Sequence, residues 1–191
     1  MQQTPVMILA GGQATRMGGG DKPLMRWRER PLIEWLLDDL RTLSPKIAIN
    51  ANGEPQRFAK YWLPVVPDEV PDCGPLSGIL TAMDWAAASG FSHVGVIAGD
   101  TVGLPADLFS RLGKGPSHAA SLVNGEWRAH PTVGVWPIGL AAGLRDYLMA
   151  GERRVMGWAK SVGATEVRFD GEVFRNFNTP EDLQGYPLRI K

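Results

Sequence analysis

The stretch Pro5-Val-Met-Ile-Leu-Ala10, followed by Gly11-Gly12, decides the fold class of this chain. An uncharged apolar run that ends abruptly in two glycines is typical of a strand buried on both faces, as in a parallel sheet. The loop that follows contains the glycines Gly18 to Gly20 and ends in Asp21-Lys22. Ligands of open α/β sheets bind beyond the carboxyl ends of such strands, so we expect this loop to border a binding site.

The rest of the chain alternates short apolar runs with segments of helical periodicity. Further strands are predicted at 46–50, 64–67, 93–98, 119–123, 131–136 and 166–169, and helices at 31–43, 55–61, 75–88 and 140–149, with another helix starting at Thr179. This rhythm predicts a three-layer α/β fold around a mainly parallel sheet. Because the 191 residues contain no internal repeat and no linker, we expect a single domain over residues 1–191.

Composition and charge exclude several classes of protein. Apolar residues make up 44% of the chain and charged residues 21%, which are ordinary values for a globular protein. Basic and acidic residues number 20 each, so no net charge draws the protein to nucleic acid or to a membrane. With Cys73 as the one cysteine and three histidines, an internal disulfide and a structural zinc site are excluded. We expect a soluble, cytoplasmic protein without a signal peptide or membrane span.

The glycine-rich segment Leu9–Lys22 favours the binding of a phosphate group. Glycines let backbone N–H groups approach a phosphate closely, and Arg16 and Lys22 supply neutralising charge. The spacing matches neither GxGxxG, which needs a further glycine, nor GxxxxGK[ST], because Lys22 lies between Asp21 and Pro23. The alternative from the residues alone is a glycine-rich surface turn that carries an arginine and a lysine by chance.

The segment Leu9–Lys22 resembles the LAGGxSxRMGxDK signature of the molybdenum cofactor guanylyltransferases. Further short matches follow in the order of that family, at 49–52, 67–68, 74–78, 99–101, 130–132, 151–156 and 176–180. The chain departs from the family at Val102, where a proline usually stands two residues after Asp100. The resemblance implies a Rossmann-like nucleotide-sugar-transferase fold.

The resemblance also implies a reaction. Enzymes of this family transfer GMP from GTP to the terminal phosphate of molybdopterin, or of molybdenum-molybdopterin, and release pyrophosphate with the help of Mg²⁺. Such transfer needs positioning and charge stabilisation more than covalent catalysis. The nucleophile is a phosphate monoester, with a second pKa of about 6, so it needs no general base. We expect a monomer that transiently contacts other proteins of molybdenum cofactor synthesis.

By this resemblance, one set of residues holds the GTP. The residues implied as GTP contacts are Leu9, Ala10, Gly11, Lys22, Asn50, Asp68 and Asp100, and those implied for catalysis are Arg16, Lys22 and Asp100. Asp100 closes a predicted strand, where a carboxylate oxygen suits a hard cation, and the resemblance makes it the Mg²⁺ ligand. Asp68 can accept hydrogen bonds from guanine nitrogens. The structural alternatives are a helix cap for Asp100 and turn residues for Asn50 and Asp68.

A second set of residues is implied for the acceptor. Its members are His130, Arg153, Arg154, Asn176 and Asn178. Because molybdopterin carries a phosphate and a dithiolene, the two arginines are candidate anion clamps. The alternatives are a solvated basic helix start for the arginines and a turn before a capped helix for the asparagines.

Three other functions compete with guanylyl transfer to molybdopterin. A cytidylyltransferase that makes the cytosine dinucleotide cofactor typically reads LAAG where this chain has Leu9-Ala10-Gly11-Gly12, and the missing methyl group at Gly11 leaves room for a purine. A sugar-1-phosphate guanylyltransferase shares the loop, but its sugar site does not resemble Gly151–Met156. A nucleotide-binding scaffold without turnover would not need Asp100 together with Lys22.

Overall fold

A seven-stranded sheet organises the described part of this computed structural model, which comprises residues 4–11, 21–171 and 173–176. The strands are β1 Val6–Leu9, β2 Arg26–Trp27, β3 Arg30–Pro31, β4 Ile47–Asn50, β5 Val65–Val66, β6 His93–Ala98, β7 Thr101–Val102, β8 Ser117–Val123, β9 Glu126–Pro137, β10 Thr165–Phe169 and β11 Arg175–Asn176. The α-helices are α1 Leu32–Leu43, α2 Pro75–Ala88, α3 Leu108–Leu112, α4 Ala141–Met149 and α5 Val155–Ser161. Short 3₁₀ helices cover Lys22–Leu24, Pro55–Tyr61 and Ile138–Leu140.

The large sheet is mainly parallel. Its spatial order is β10-β8-β9-β6-β1-β4-β5, and β9 alone among these strands runs antiparallel to its neighbours. Two small antiparallel pairs, β2-β3 and β7-β11, lie outside it. The prediction of an α/β fold around a mainly parallel sheet is confirmed.

The central strand β1 is buried on both faces, as its apolar run predicts. On one face of the sheet, Ile8 packs in the hydrophobic core that includes side chains of α1 and α3. On the other face, Met7 packs in the core that includes side chains of α2, α4 and α5. In α1 the side chains of Leu36 and Leu40 lie one turn apart and are fully buried. Burying a leucine side chain stabilises the fold by about 1.5–3 kcal/mol. Alternate side chains of one strand therefore hold two helical layers, which gives the three-layer arrangement.

Strand β9 is longer than the sequence predicts. It starts at Glu126, directly after a two-residue turn in which Asn124 and Gly125 have φ angles of 53° and 83°. An Asn-Gly pair with positive φ at both positions is the preferred turn of a two-residue hairpin. The predicted start at Pro131 is wrong because the β8–β9 ladder continues beyond this proline, with a register shift between His118 and Ala119.

Some helices and short strand pairs of the structure differ from those expected from the sequence. The pairs β2-β3 and β7-β11 were not predicted. Helix α5 begins directly after Arg154, as the alternative of a basic helix start expects, and the helix expected from Thr179 lies outside the described residues. Within the described ranges, each helix is too short or too polar to cross a membrane.

Candidate functional site

The carboxyl ends of three neighbouring strands form the edge on which the candidate site lies. In the sheet register, Leu9 of β1 stands between Asn50 of β4 and Ala98 of β6. Backbone hydrogen bonds continue this alignment past the strands, from Ala10 N to Asn50 O at 2.8 Å and from Gly99 N to Leu9 O at 2.9 Å. The structure therefore brings the sequence-predicted residues at positions 9, 10, 50 and 100 to one edge.

Lys22 and Asp100 form an ion pair at this edge. The Lys22 ammonium contacts Oδ2 of Asp100, and the two side chains are 21% and 11% exposed. A Cβ atom at Gly99 would lie 2.7 Å from Cγ of Pro23, so only a glycine there lets the Lys22–Leu24 turn pack on the end of β6. Charges that are partly removed from water attract each other more strongly than charges on the surface. The glycine thus positions a cation beside the carboxylate.

Asp100 offers oxygen ligands that a hard cation such as Mg²⁺ accepts. Its carboxylate is at the end of the buried strand β6 and is itself largely buried. The described residues hold no cluster of three or more histidine, cysteine or acidic side chains. Mg²⁺ is commonly bound by one or two carboxylates together with substrate phosphates. A single carboxylate fits that mode and does not fit an all-protein cage.

Asp68 is held by two asparagines. Nδ2 of Asn50 donates to Oδ1 of Asp68 at 2.8 Å, and Nδ2 of Asn52 donates to Oδ2 at 2.8 Å. The backbone N–H of Asp68 donates to Oδ1 of Asn52 at 2.8 Å, which fixes the main chain as well. Each carboxylate oxygen can accept more than one hydrogen bond, so Asp68 keeps acceptor capacity for a ligand.

Helix α2 packs directly against Asn50. A Cβ atom at Gly78 would lie 2.5 Å from Oδ1 of Asn50 and 2.9 Å from Cδ2 of Leu9. The close approach leaves Nδ2 of Asn50 to donate to Val66 O at 3.2 Å and to Asp68. Gly78 therefore allows the close packing that orients the Asn50 amide.

Gly11 leaves open space at the same edge. The residue is exposed, and a Cβ atom built on it would meet nothing within 4 Å among the described residues. Its φ angle does not lie in the left-handed region, so an alanine fits the backbone there. A methyl group at this position would project into the space beside the strand ends.

His130, a predicted acceptor residue, is buried in the β8–β9 ladder. Its Nε2 is 2.8 Å from Oγ of Ser121, and its ring lies 5.5 Å from that of Phe174. Burial lowers the pKa of His130 to about 4, with Arg128 and His118 adding to the shift. The imidazole is neutral at pH 7, and its contacts within the described residues are to the interior.

The two predicted acceptor arginines are exposed at the start of α5. Nη1 of Arg153 donates to Leu148 O and to Glu152 O, both at 2.8 Å, so this guanidinium closes the end of α4. Arg154 precedes the first residue of α5. Arg153 therefore has a structural task, whereas Arg154 presents its charge to solvent.

The remaining predicted residues lie wholly or partly outside the described chain. Arg16 and Asn178 are among the residues that the structure does not describe. The backbone of Asn176 belongs to β11 and pairs with Thr101, which directly follows Asp100. The structure thus places the backbone of Asn176 next to the Asp100 turn.

Two residues of this edge, Asn52 and Arg57, were not predicted as site residues from the sequence. Asn52 stands in the quoted stretch 49–52, and its spacing of two from Asn50 is the signal that it shares the same partner. Nε of Arg57 lies 2.5 Å from Oδ2 of Asp21, and its Nη2 donates to Asn52 O at 2.5 Å. Arg57 thereby connects Asp21, at the end of the glycine loop, with the turn that follows β4. No sequence motif predicts this role.

Sequence comparisons with known proteins agree on one group of similar proteins. The family model described as MobA-like NTP transferase domain matches residues 6–164. The chain is 44% identical over 178 residues to a molybdenum cofactor guanylyltransferase of Cereibacter sphaeroides, covering 93% of this chain and 92% of that protein. It is 40% identical over 191 residues to a protein of the same name from Nitrobacter hamburgensis, covering 94% and 91%.

Solved structures share the fold. The molybdopterin-guanine dinucleotide biosynthesis protein A of Archaeoglobus fulgidus superposes with a TM-score of 0.70 at 21% identity, covering 94% of this chain and 95% of that chain. A 4-diphosphocytidyl-2C-methyl-D-erythritol synthase superposes with a TM-score of 0.71 at 13% identity, covering 95% and 96%. At such identities the likeness is one of architecture.

Proposed function

This chain belongs to the MobA-like NTP transferase family, among the molybdenum cofactor guanylyltransferases, and on that premise we propose how its residues carry the reaction. The enzyme transfers GMP from GTP to the terminal phosphate of molybdopterin. An oxygen of the acceptor phosphate forms a bond to the α-phosphorus of GTP. The bond from this phosphorus to the α–β bridging oxygen breaks, and its electron pair leaves with pyrophosphate.

The observation that carries the proposal is the Lys22–Asp100 pair at the strand ends, beside the Asn50–Asp68 pair. One pair combines a cation with a carboxylate, as a triphosphate and its metal ion require. The other pair presents a fixed carboxylate to a base. A nucleoside triphosphate laid along this edge meets both.

Asp68 is proposed to recognise guanine. Guanine presents the N1–H and the 2-amino group side by side, and a carboxylate can accept from both. The amides of Asn50 and Asn52 each donate to one of the two oxygens of Asp68 and hold the carboxylate in place. The open space at Gly11 favours a purine there over the smaller base of CTP.

At the phosphates, Asp100 would hold Mg²⁺ together with the triphosphate. When bound, the cation neutralises charge on the phosphate oxygens. Lys22 stabilises the negative charge that develops on the leaving pyrophosphate. Arg16 is assigned the same task from its place in the glycine loop, outside the described residues.

The acceptor is proposed to bind at the turn between α4 and α5. Because β9 ends and β10 begins near the amino edge of the sheet, we propose that the turn before Val155, between α4 and α5, reaches toward the carboxyl edge. Arg154 is proposed to bind the acceptor phosphate, with Arg153 beside it and with Asn176 and Asn178 completing the site. His130 is buried against Ser121 and Phe174 and is neutral at pH 7, and it is not needed as a base, since a phosphate monoester needs none.

The reaction is proposed to take place in the cytoplasm, on a monomer that receives molybdopterin from other cofactor proteins and binds neither nucleic acid nor membrane. A competing assignment is transfer of CMP, and another is transfer of GMP to a sugar phosphate. Pyrophosphate release distinguishes the three. With Mg²⁺ and molybdopterin we expect release from GTP at least tenfold more efficient than from CTP, and no release when a sugar 1-phosphate replaces molybdopterin. Equal use of CTP would overturn the assignment.

A further inference from the structure

Arg145 of α4 is held between two carboxylates, those of Glu69 and Asp84, near the carboxyl edge of the sheet on which the nucleotide is proposed to bind. Its Nε donates to Oε1 of Glu69 at 3.1 Å, and its Nη2 donates to Oε2 of the same residue at 2.9 Å. The same Nη2 donates to Oδ2 of Asp84, on α2, at 2.7 Å. One planar guanidinium thus fastens the segment that contains Glu69 to two helices at once.

The electrostatics of this cluster, Glu69–Arg145–Asp84, agree with its geometry. Hydrogen bonds from Arg145 hold the pKa of Glu69 below its usual range, and the two carboxylates raise the pKa of Arg145. Burial raises the pKa of Asp84, and the hydrogen bond and charge of Arg145 oppose that effect. Isolated surface ion pairs contribute little, but a bidentate arginine within a network holds its partners in a defined orientation.

The cluster acts on the residue next to Glu69, which is Asp68. The segment from Asp68 to Cys73 leads from β5 to α2, and within it Asp72 has a left-handed φ of 58°. On one side Asn50 and Asn52 hold the Asp68 carboxylate. On the other side, Arg145 holds the adjacent residue, Glu69. Asp68 is therefore fixed between the strand β4 turn and helix α4.

We infer that Arg145 is a positioning residue for base recognition: by anchoring Glu69 to α2 and α4, it sets the direction of the Asp68 carboxylate. This inference rests on the proposed function, in which Asp68 recognises guanine. Arg145 itself touches no nucleotide in this scheme. Its effect on the reaction passes through the backbone between positions 68 and 69.

The chemistry of the cluster calls for arginine. A lysine ammonium carries the same charge but cannot donate two parallel hydrogen bonds to one carboxylate in a fixed plane. Arg145→Lys should therefore keep the attraction and lose part of the orientation. Arg145→Gln loses both.

Equilibrium binding of GTP and of ITP, which lacks the 2-amino group, tests the inference. The wild type should prefer GTP roughly tenfold, the worth of one hydrogen bond to a charged group. We expect the preference to fall at least threefold in Arg145→Gln and by less in Arg145→Lys, while kcat at saturating GTP changes less than twofold. Glu69→Gln, which keeps the size of the side chain, should reproduce the loss even if Arg145→Gln fails to fold.

The matched control is Arg168→Gln, which breaks the exposed Arg168–Glu166 pair of β10, whose Nε–Oε1 distance is 3.2 Å. It should leave the GTP preference unchanged. If the wild type prefers GTP and the Arg145 and Glu69 variants keep the full preference, the positioning role is wrong. If the wild type binds GTP and ITP equally, guanine recognition by Asp68 fails, and the inference fails with it.

Discussion

Lys22 and Asp100 belong to two different turns, yet their charged groups meet at the carboxyl edge of the central sheet. The meeting depends on Gly99, because any side chain there would displace Pro23. The contact with the Lys22 ammonium orients the Asp100 carboxylate at this edge. In the proposed mechanism the two groups would serve different parts of a metal–nucleotide complex, the carboxylate its cation and the ammonium its phosphates.

Gly99→Ala should impair the reaction without unfolding the protein. The new Cβ atom would lie 2.7 Å from Cγ of Pro23 and would push the Lys22 turn away from Asp100. Overpacking of this kind costs about 1–3 kcal/mol of stability. We expect kcat/KM for GTP to fall at least tenfold. Gly139→Ala is the matched control, since a Cβ atom there meets nothing within 4 Å in the part of the chain that the structure describes, and it should leave kcat/KM unchanged. Equal activity of both variants would show that the turn is not needed.

Gly11→Ala should shift the choice of nucleotide and leave the fold intact. The added methyl group enters open space at the strand ends, where the base is proposed to lie. We expect the ratio of GTP to CTP affinity to fall at least fivefold, with the midpoint of thermal unfolding unchanged within a few degrees. Competition of the two nucleotides for one fluorescent analogue measures the ratio. An unchanged ratio would place the base elsewhere along the edge.

Arg154→Ala should weaken binding of molybdopterin and spare GTP. Hydrogen bonds to a charged group contribute about 1.5–3 kcal/mol, less where solvent screens them. Arg153→Ala is a less clean test because Arg153 also donates to the carbonyls of Leu148 and Glu152. We expect the double variant Arg153→Ala with Arg154→Ala to bind GTP within roughly twofold to threefold of wild type, since neither arginine is assigned a contact with GTP. Equal losses for both substrates would mean that the pair is structural.

His130 should make stability depend on pH. Its pKa of about 4 lies below the ordinary value of 6.5, so between these values the unfolded chain binds more protons than the folded one. The contribution of His130 is fully favourable above pH 6.5 and is lost as the pH falls toward 4, by about 3 kcal/mol at most. Burial lowers the pKa of His93 as well, so denaturant titrations at pH 5 and pH 7 should compare wild type with His130→Gln. The same pH dependence in both would contradict the shift.

Much of the architecture could be predicted from local patterns. The run that became β1 and the helical spacing that became α1 record burial directly, because apolar side chains must face the two cores. The glycine loop and its resemblance led to Lys22, Asn50, Asp68 and Asp100, which the fold brings to one edge. The predicted strand over 131–136 starts too late, because the Asn124-Gly125 turn, which the prediction did not use, sets the start of β9.

Partnerships between distant residues could not be predicted in this way. Arg145 lies 76 residues from Glu69 and 61 from Asp84, and nothing in either neighbourhood specifies the other. Arg57 likewise belongs to a 3₁₀ helix without a motif. Such ion pairs arise only when the sheet order places two helices and a turn side by side.

The direct test of the proposed chemistry is pyrophosphate release from GTP, Mg²⁺ and molybdopterin by the wild type and by Asp100→Asn. The amide keeps the shape of the side chain and removes the charge that would hold the cation. We expect release to fall by a factor on the order of 100 or more, as when a charge-stabilising group is removed, while the unfolding midpoint shifts by only a few degrees. Asp107→Asn, which removes a carboxylate from the exposed pair with Arg111, should release pyrophosphate at the wild-type rate. Wild-type release by Asp100→Asn would contradict the assignment of the Lys22–Asp100 pair as the centre of the reaction.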